Sequence, residues 1–134
     1  EAAGLPDASL TIVETAYGIE TGAKAFEHLM SSVPRPTAIM CGNDVLAVGA
    51  IKRAKQMGIN VPEDVSITGF DDIELATVVE PMLTTVHVPH RAMGQEAARA
   101  LVRMIDTVDA GAPSVCLGAH IVVRETLAAP RKVP

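Results

Sequence analysis

The sequence predicts an α/β fold in which helices cover both faces of a parallel sheet. Three short strand-like runs, at residues 10–14, 37–41 and 65–70, each end in a cluster of polar residues. The clusters recur about every 26–28 residues, close to the length of one strand–helix–strand unit. Because parallel strands have their carboxyl ends at one edge of a sheet, the polar side chains should gather at that edge, where such sheets bind ligands.

Apolar residues at helical spacing indicate the helices that alternate with these strands. Residues 21–31 form the first predicted helix and residues 44–57 the second, which ends at Gly58. After the third strand the strict alternation stops. The later elements are predicted as a strand at 84–88, a helix at 90–108 and a strand at 115–123.

At 134 residues, the chain has the size of a single domain. Apolar residues make up 49% of it and charged residues 20%, which excludes intrinsic disorder. No uncharged apolar stretch approaches the roughly 18–20 residues of a membrane span, so no membrane partner is expected. The net charge of -5, without a basic run, predicts that this chain repels nucleic-acid phosphates and does not itself bind DNA.

The cysteines and histidines predict neither a metal site nor a cofactor. Cys41 and Cys116 lie far apart in apolar surroundings, and we expect both to be buried as small hydrophobic residues. The four histidines show no metal-ligand spacing, and the sequence has no glycine-rich phosphate-binding motif. Charge and thiol content suit a cytoplasmic protein, and the chain, which starts at Glu1, is expected to be a piece of a longer one.

Asp71 and Asp72 follow the third predicted strand and are candidates for a site. Adjacent carboxylates can share a proton or a cation, but neighbouring side chains of an extended segment point to opposite sides. We therefore expect one of them, Asp71, to accept hydrogen bonds from a neutral ligand. The alternative is that both carboxylates only cap the following turn.

Tyr17 and Asn43 follow the other two predicted strands. An Asn side chain offers a donor and an acceptor to a hydroxyl-rich ligand, whereas Asp44 suits the N-cap of the second helix. Tyr17 is the only tyrosine of the chain, and its flat ring can stack on a sugar or a heterocycle. The alternatives are that Asn43 is only a helix cap and that Tyr17 is half-buried against a helix.

The second predicted helix carries more apolar residues than one packing face requires. Two of them, Val48 and Ile51, add apolar surface, and we expect this helix and segment 78–81 to form part of a two-fold interface. The sequence therefore predicts a homodimer.

Four segments of the chain resemble the LacI/GalR family of bacterial transcription regulators. They read PTAIMCGND at 36–44, AVGA at 47–50, GINVPEDVSITGFDD at 58–72 and PMLTTV at 81–86. Together they span nearly the whole chain and are far more specific than any one of them. The resemblance implies a type I fold like that of periplasmic binding proteins, of which this chain holds part, mainly the C-terminal lobe of the effector-binding region.

The resemblance also implies how the chain is divided. Residues 1–84 would form most of the C-terminal lobe, residues 85–113 would cross the hinge and add a helix to the N-terminal lobe, and residues 114–134 would lead back. In this family an effector is held between two lobes, and a separate N-terminal helix-turn-helix domain binds DNA. That DNA-binding domain and most of the N-terminal lobe are expected outside this chain.

Roles for individual residues follow from the resemblance by position. Tyr17 matches the aromatic residue that stacks on the effector, Asn43 the amide that bonds it, and Asp71 the carboxylate that accepts from its hydroxyls or nitrogens. Val48 and Val79 match positions that pack across the family's dimer. The three ligand residues are the same ones that side-chain chemistry alone favours.

The sequence therefore favours the effector-sensing part of a LacI-type repressor. Such a protein binds a small polar effector, here a sugar or sugar derivative, couples it to DNA binding by the headpiece and catalyses no reaction. A periplasmic sugar-binding protein of a transporter shares the fold and is the main alternative. An α/β enzyme that uses Asp71 or Asp72 is a weaker one, because no catalytic partner stands at a recognisable spacing.

Overall fold

The computed structural model describes residues 10–106 and 114–129. Within these ranges the chain forms four helices and four short strands. In chain order they are α1 (Ile19–Met30), β1 (Ala38–Met40), α2 (Asp44–Gln56), β2 (Ser66–Thr68), α3 (Leu75–Val78), β3 (Thr85–His87), α4 (His90–Asp106) and β4 (His120–Val122). The three predicted helices correspond to α1, α2 and α4, and the predicted end of the last one, Val108, lies outside the described residues.

The strands confirm the predicted α/β fold with a parallel sheet. β1 pairs in parallel with β2, with Ile39 opposite Ile67. A parallel bridge between Thr68 and Thr84 joins the end of β2 to the residue before β3. β4 then pairs with β3 in the antiparallel direction.

The first predicted strand, at residues 10–14, is not formed. Leu10 and Ile12 are 73% and 77% exposed. A strand of a parallel sheet is held by a hydrogen-bonded neighbour and by cover on both faces, and within the described part of the chain this run has neither. An apolar pattern therefore marks the potential for a strand, while a pairing partner decides whether one forms.

The core lies between α1, α2 and the two parallel strands. The two helices approach closely at two glycines, since a Cβ at Gly22 would lie 2.3 Å from Leu46 O and a Cβ at Gly49 2.0 Å from Ile19 O. The buried apolar cluster consists of Phe26, Met30, Ile39, Ala47, Ala50, Ile51, Ala54, Val65, Ile67, Ala76 and Leu83.

The structure corrects one of the residues predicted at a dimer interface. Ile51 is 3% exposed and belongs to the core. The wide apolar stripe of α2 is explained within the chain, because this helix packs against α1, β2 and α3. Val48 and Val79 are only partly buried, so the prediction of an interface now depends on them.

The helix α4 buries none of its residues against the rest of the described chain. Met93, Leu101 and Ile105 are 48%, 59% and 70% exposed, although they have the spacing of an apolar face. None of the described helices combines the length and the apolar character that crossing a membrane requires. The division at residues 84 and 113 stays a prediction.

The two cysteines differ in their surroundings. Cys41 is partly buried behind β1, and burial, reinforced by the negative charge of Asp44, raises the pKa of its thiol to about 12. Cys116 is exposed, so the prediction that both are buried is wrong for Cys116. The apolar residues around Cys116 in the sequence suggested burial, but Cys116 is not part of the core.

Candidate ligand-binding site

The predicted site residues Asn43 and Asp71 lie on neighbouring loops at the carboxyl ends of β1 and β2. The loop after β1 is fastened to the loop after β2 by two backbone hydrogen bonds. Cys41 N donates to Thr68 O at 2.8 Å, and Asp44 N donates to Phe70 O at 2.9 Å. The gathering of polar residues at one edge follows from the parallel pairing of the two strands.

Asn43, and not Asp44, is the N-cap of α2. Its backbone is extended, and its Oδ1 accepts a hydrogen bond from Leu46 N at 2.9 Å. Asp44 is already the first helical residue, so its side chain cannot take that place, and the prediction that it caps the helix is wrong. The Nδ2 group of Asn43 has no protein partner in the described chain, which leaves a donor for a ligand.

Asp71 and Asp72 both adopt left-handed backbone conformations, with φ of 108° and 55°. Such conformations cost non-glycine residues on the order of 1–3 kcal/mol each and are found preferentially at functional sites. The Asp71 backbone is held in place because its N–H donates to Val86 O at 3.0 Å. The turn therefore presents its two side chains in a defined way instead of simply continuing the strand.

The Asp71 carboxylate keeps its capacity to accept hydrogen bonds. Its side chain is 32% exposed, and His90 Nε2 lies 3.8 Å from Oδ1. That separation is too long for a hydrogen bond. Within residues 10–106 and 114–129, no hydrogen bond therefore occupies the oxygens that the sequence predicts for a ligand.

The Asp72 carboxylate, in contrast, is fully engaged within the protein. Its Oδ1 accepts from Arg124 Nη2 at 2.5 Å, and its Oδ2 lies 2.9 Å from His87 Nδ1. Burial acts to raise the pKa of Asp72, but the hydrogen bonds and positive charge of Arg124 and His87 outweigh it and hold that pKa below its usual value. The interpretation that both aspartates merely cap the next turn does not describe this arrangement.

Tyr17 stands at the surface just before α1 and is 76% exposed. It has no hydrogen bond or ring contact with the rest of the described chain. The alternative in which it is half-buried against a helix is therefore wrong. Its ring face is free to stack on a ligand, and this role stays a prediction.

The residues that hold the site together were not predicted from the sequence. Asp44 is completely buried and accepts hydrogen bonds from Ile73 N and from the Thr85 hydroxyl. His87 and His120 face each other across β3 and β4, with ring centroids 5.0 Å apart. These contacts join residues far apart in the chain, so no local sequence pattern predicts them.

The described residues of this edge form no metal-binding cluster, and the two grooves beside α2 lie away from it. Among the residues that the structure describes, no group of three or more His, Cys, Asp or Glu side chains is placed to hold a metal ion. Two open grooves, of about 440 and 350 Å³, lie elsewhere, beside α2. Neither is lined by Tyr17, Asn43 or Asp71, so the candidate site rests on the loops and not on a groove.

The fold and this site define a class of ligand-binding protein, and comparison with known proteins identifies it. Residues 1–127 match the family model of the periplasmic binding protein-like domain. The chain therefore belongs to the family of periplasmic binding protein-like domains. Within it, the chain corresponds to the effector-binding region of LacI-family transcriptional regulators, which confirms the resemblance seen in its motifs.

The curated relatives include repressors of transcription. The chain is 36% identical over 116 residues to the HTH-type transcriptional repressor PurR of Vibrio vulnificus, an overlap of 87% of this chain and 35% of the relative. It is 37% identical over 108 residues to the HTH-type transcriptional repressor CytR of Escherichia coli, covering 81% of this chain and 32% of the relative. The chain thus spans about a third of the length of these relatives.

Solved structures show the same fold with sugars bound. A LacI family transcriptional regulator from Enterococcus faecium, with bound ribose, superposes with a TM-score of 0.88 at 27% identity, covering 98% of this chain and 48% of that one. A complex of the transcriptional regulator CelR with cellobiose superposes with a TM-score of 0.84 at 32% identity, covering 93% of this chain and 38% of that one.

Proposed function

We propose that this chain is the effector-sensing part of a LacI-type transcriptional repressor, and that the edge formed by Asn43 and Asp71 binds a small polar effector. The observation that carries this proposal is the contrast between two adjacent carboxylates. Asp72 is hydrogen-bonded to Arg124 and His87, whereas the Asp71 carboxylate has no hydrogen-bonded partner in the part of the chain that the structure describes. A group left unpaired on a turn this constrained is best explained by a ligand.

The side chains at this edge suit a sugar or a sugar derivative. A carboxylate accepts from hydroxyl groups, and the free Nδ2 of Asn43 donates to their oxygens. The exposed ring of Tyr17 supplies a flat apolar surface of the kind that stacks on a sugar face. Ribose and cellobiose in two structures of the same fold support this choice of ligand class.

The proposed mechanism is a change in the relation between two lobes. β3 leads into α4, and β4 follows α4 and pairs back onto β3. An effector that binds between lobes favours the arrangement in which it touches both. The longer protein would pass that preference to a DNA-binding headpiece as a difference in affinity between two states. The acidic chain itself would not contact DNA, and the protein would act in the cytoplasm without catalysing a reaction.

A second part of the proposal is a dimer formed through the groove between α2 and α3. The groove exposes apolar side chains beside charged ones, and Val78 is 70% exposed. Its lining residues are Val48, Ile51, Lys52, Lys55, Leu75, Val78, Val79 and Glu80. Apolar residues beside charges of both signs fit a self-complementary two-fold contact. Val48→Asp should dissociate the dimer of the intact protein in analytical ultracentrifugation, because it would bury an unpaired charge.

The matched control for the dimer is Val33→Asp, which places the same charge at a residue that is 95% exposed and far from the groove in sequence. We expect it to leave the sedimentation behaviour unchanged. If Val48→Asp sediments like the wild type, the interface lies elsewhere.

The ligand proposal is tested on the intact protein by calorimetric titration with D-ribose, D-cellobiose and a panel of other sugars and sugar derivatives. Asp71→Ala should weaken binding of any compound that the wild type binds by about ten-fold or more, since losing an acceptor for a desolvated donor costs roughly 1–3 kcal/mol. The control is Asp106→Ala at the far end of α4, a helix that spans roughly 24 Å. Equal affinities for wild type and Asp71→Ala would remove Asp71 from the site.

A further inference from the structure

Asp44 is a fully buried carboxylate whose hydrogen bonds join three elements. It is the first residue of α2, and its Oδ2 accepts a hydrogen bond from Ile73 N at 2.9 Å. Its Oδ1 accepts a hydrogen bond from the Thr85 hydroxyl at 2.5 Å. The start of α2, the loop that carries Asp71 and the first residue of β3 therefore meet at one side chain.

The end of the helix alone does not explain why an aspartate is buried here. Asn43 already caps α2, so a second acceptor at the next position is not needed for that purpose. Burying a carboxylate is costly unless hydrogen bonds and the positive end of a helix offset the cost, and Asp44 has both. The packing is also tight, since a Cβ at Gly69 would lie 2.2 Å from its Oδ1.

The elements that Asp44 joins are those on which sensing depends. Asp71 precedes Ile73 by two residues, and its backbone N–H donates to Val86 O, next to Thr85 in β3. One turn beyond Asp44 on α2, Val48 lines the groove between α2 and α3. Asp44 thus lies between the ligand edge, the strand that leaves the lobe and the helix of the groove.

We propose that Asp44 is a positioning residue that holds the Asp71 loop and β3 to the start of α2, so that the three move as one unit when effector binds. The proposal rests on the proposed function in one respect, namely that Asp71 is the residue that meets the effector. Asp44 itself touches no ligand. Its loss should loosen the loop locally and weaken binding through Asp71.

The test uses the intact regulator that contains this chain and combines amide hydrogen exchange without ligand with calorimetric titration of D-ribose. In Asp44→Ala the Ile73 amide loses its acceptor, and its exchange should accelerate by about ten-fold or more. Asp44→Asn keeps an oxygen for Ile73 N and a polar group for the Thr85 hydroxyl, so it should restore most of the protection. Thr85→Val removes one of the two hydrogen bonds of Asp44, so its Ile73 exchange rate should lie between those of Asp44→Asn and Asp44→Ala.

Thr126→Val is the matched control. Thr126 is 0% exposed and its hydroxyl accepts from Thr84 N at 2.9 Å, so the change removes a buried hydroxyl of the same kind without touching Asp44. It should lower global stability much as Thr85→Val does. Exchange at Ile73 should nevertheless stay at the wild-type level once stability is matched with denaturant.

The outcomes separate this proposal from the one on which it rests. The proposal fails if Asp44→Ala accelerates Ile73 no more than Thr126→Val does, or if it binds D-ribose as tightly as the wild type. If Asp44→Ala does not fold, the Ile73 exchange rates of Thr85→Val and Thr126→Val are compared instead. The proposal then fails if Thr85→Val accelerates Ile73 exchange no more than Thr126→Val does. If the wild type does not bind D-ribose, the choice of ribose as effector is wrong, and the exchange data alone decide the role of Asp44.

Discussion

The helices α1 and α4 are both strongly amphipathic, yet only α1 finds cover within this chain. The 12 residues of α1 include three that are buried, Gly22, Phe26 and Met30. The 17 residues of α4 include none. The difference shows that an amphipathic pattern predicts a helix with an apolar face, whereas what covers that face depends on the neighbours that the topology supplies.

The neighbours differ because the two helices lie in different places in the fold. α1 packs along α2, where Gly22 and Gly49 allow the two backbones to approach closely. α4 follows β3, in which Thr85 is buried but Val86 and His87 are only partly buried, and β3 is paired with β4. The apolar face of α4 is consistent with the prediction that it belongs to a second lobe of a longer protein.

The largest expected difference between the core, which includes α1, and the exposed helix α4 is the loss of stability when a leucine is shortened to alanine. Leu83 is 0% exposed and Leu101, on α4, is 59% exposed. In this chain Leu83→Ala should lower the free energy of unfolding by about 2–5 kcal/mol, because it leaves a cavity in the core. Leu101→Ala should cost less than about 1 kcal/mol.

Urea unfolding of the 134-residue chain and of the longer protein would measure both leucine variants. In the longer protein Leu101→Ala should become markedly more costly, since a second lobe would cover α4. A small cost in both proteins would show that α4 remains uncovered, and equal costs for Leu83→Ala and Leu101→Ala in this chain would contradict the comparison itself.

A smaller effect, with opposite signs in the two regions, is expected for glycine-to-alanine substitutions. A Cβ at Gly49 would lie 2.0 Å from Ile19 O, so Gly49→Ala must push α1 and α2 apart and should cost about 1–3 kcal/mol. A Cβ at Gly94 on α4 meets nothing within 4 Å. Gly94→Ala should therefore stabilise the chain by about 0.5–1 kcal/mol through its higher helix propensity.

Thermal unfolding followed by circular dichroism would measure both glycine variants. The midpoint should fall for Gly49→Ala and rise for Gly94→Ala. A lower midpoint in both would mean that α4 is packed as closely as α1.

The smallest expected effect concerns the junction between the core and α4, which we define as Asp72 with its partners Arg124 and His87. The pKa of Asp72 is lowered from its ordinary value of 3.8, so its interactions stabilise the fold above that value and are lost as the pH falls through the lower folded pKa. Asp72→Asn should therefore be less stable than the wild type at neutral pH. The difference should shrink as the pH falls below about 4.

Denaturant midpoints measured from pH 7 to pH 2.5 would test this dependence. Asp106→Asn removes an exposed carboxylate at the end of α4 and should follow the wild-type curve. Parallel curves for Asp72→Asn and the wild type would show that the junction does not depend on the charge of Asp72.

The fold class, the three long helices and the loop positions of Asn43 and Asp71 could be predicted from the sequence. This was possible because buried parallel strands and amphipathic helices leave local patterns, and because the ends of parallel strands fall at one edge. The expectation that only one of Asp71 and Asp72 faces a ligand came from the alternation of side chains in an extended segment, and the family resemblance assigned that role to Asp71. The hydrogen bonds that engage Asp72 within the protein agree with this expectation.

Which of the predicted strands, interfaces and caps actually form depends on the tertiary structure. Residues 10–14 have a strand pattern without forming a strand, and the apolar stripe of α2 places Ile51 in the core instead of at an interface. Asp44 looked like a helix cap and is instead a buried acceptor for groups 29 and 41 residues away in the chain. Pairing, burial and such long-range hydrogen bonds depend on which segments meet in space, and a local pattern carries no record of that.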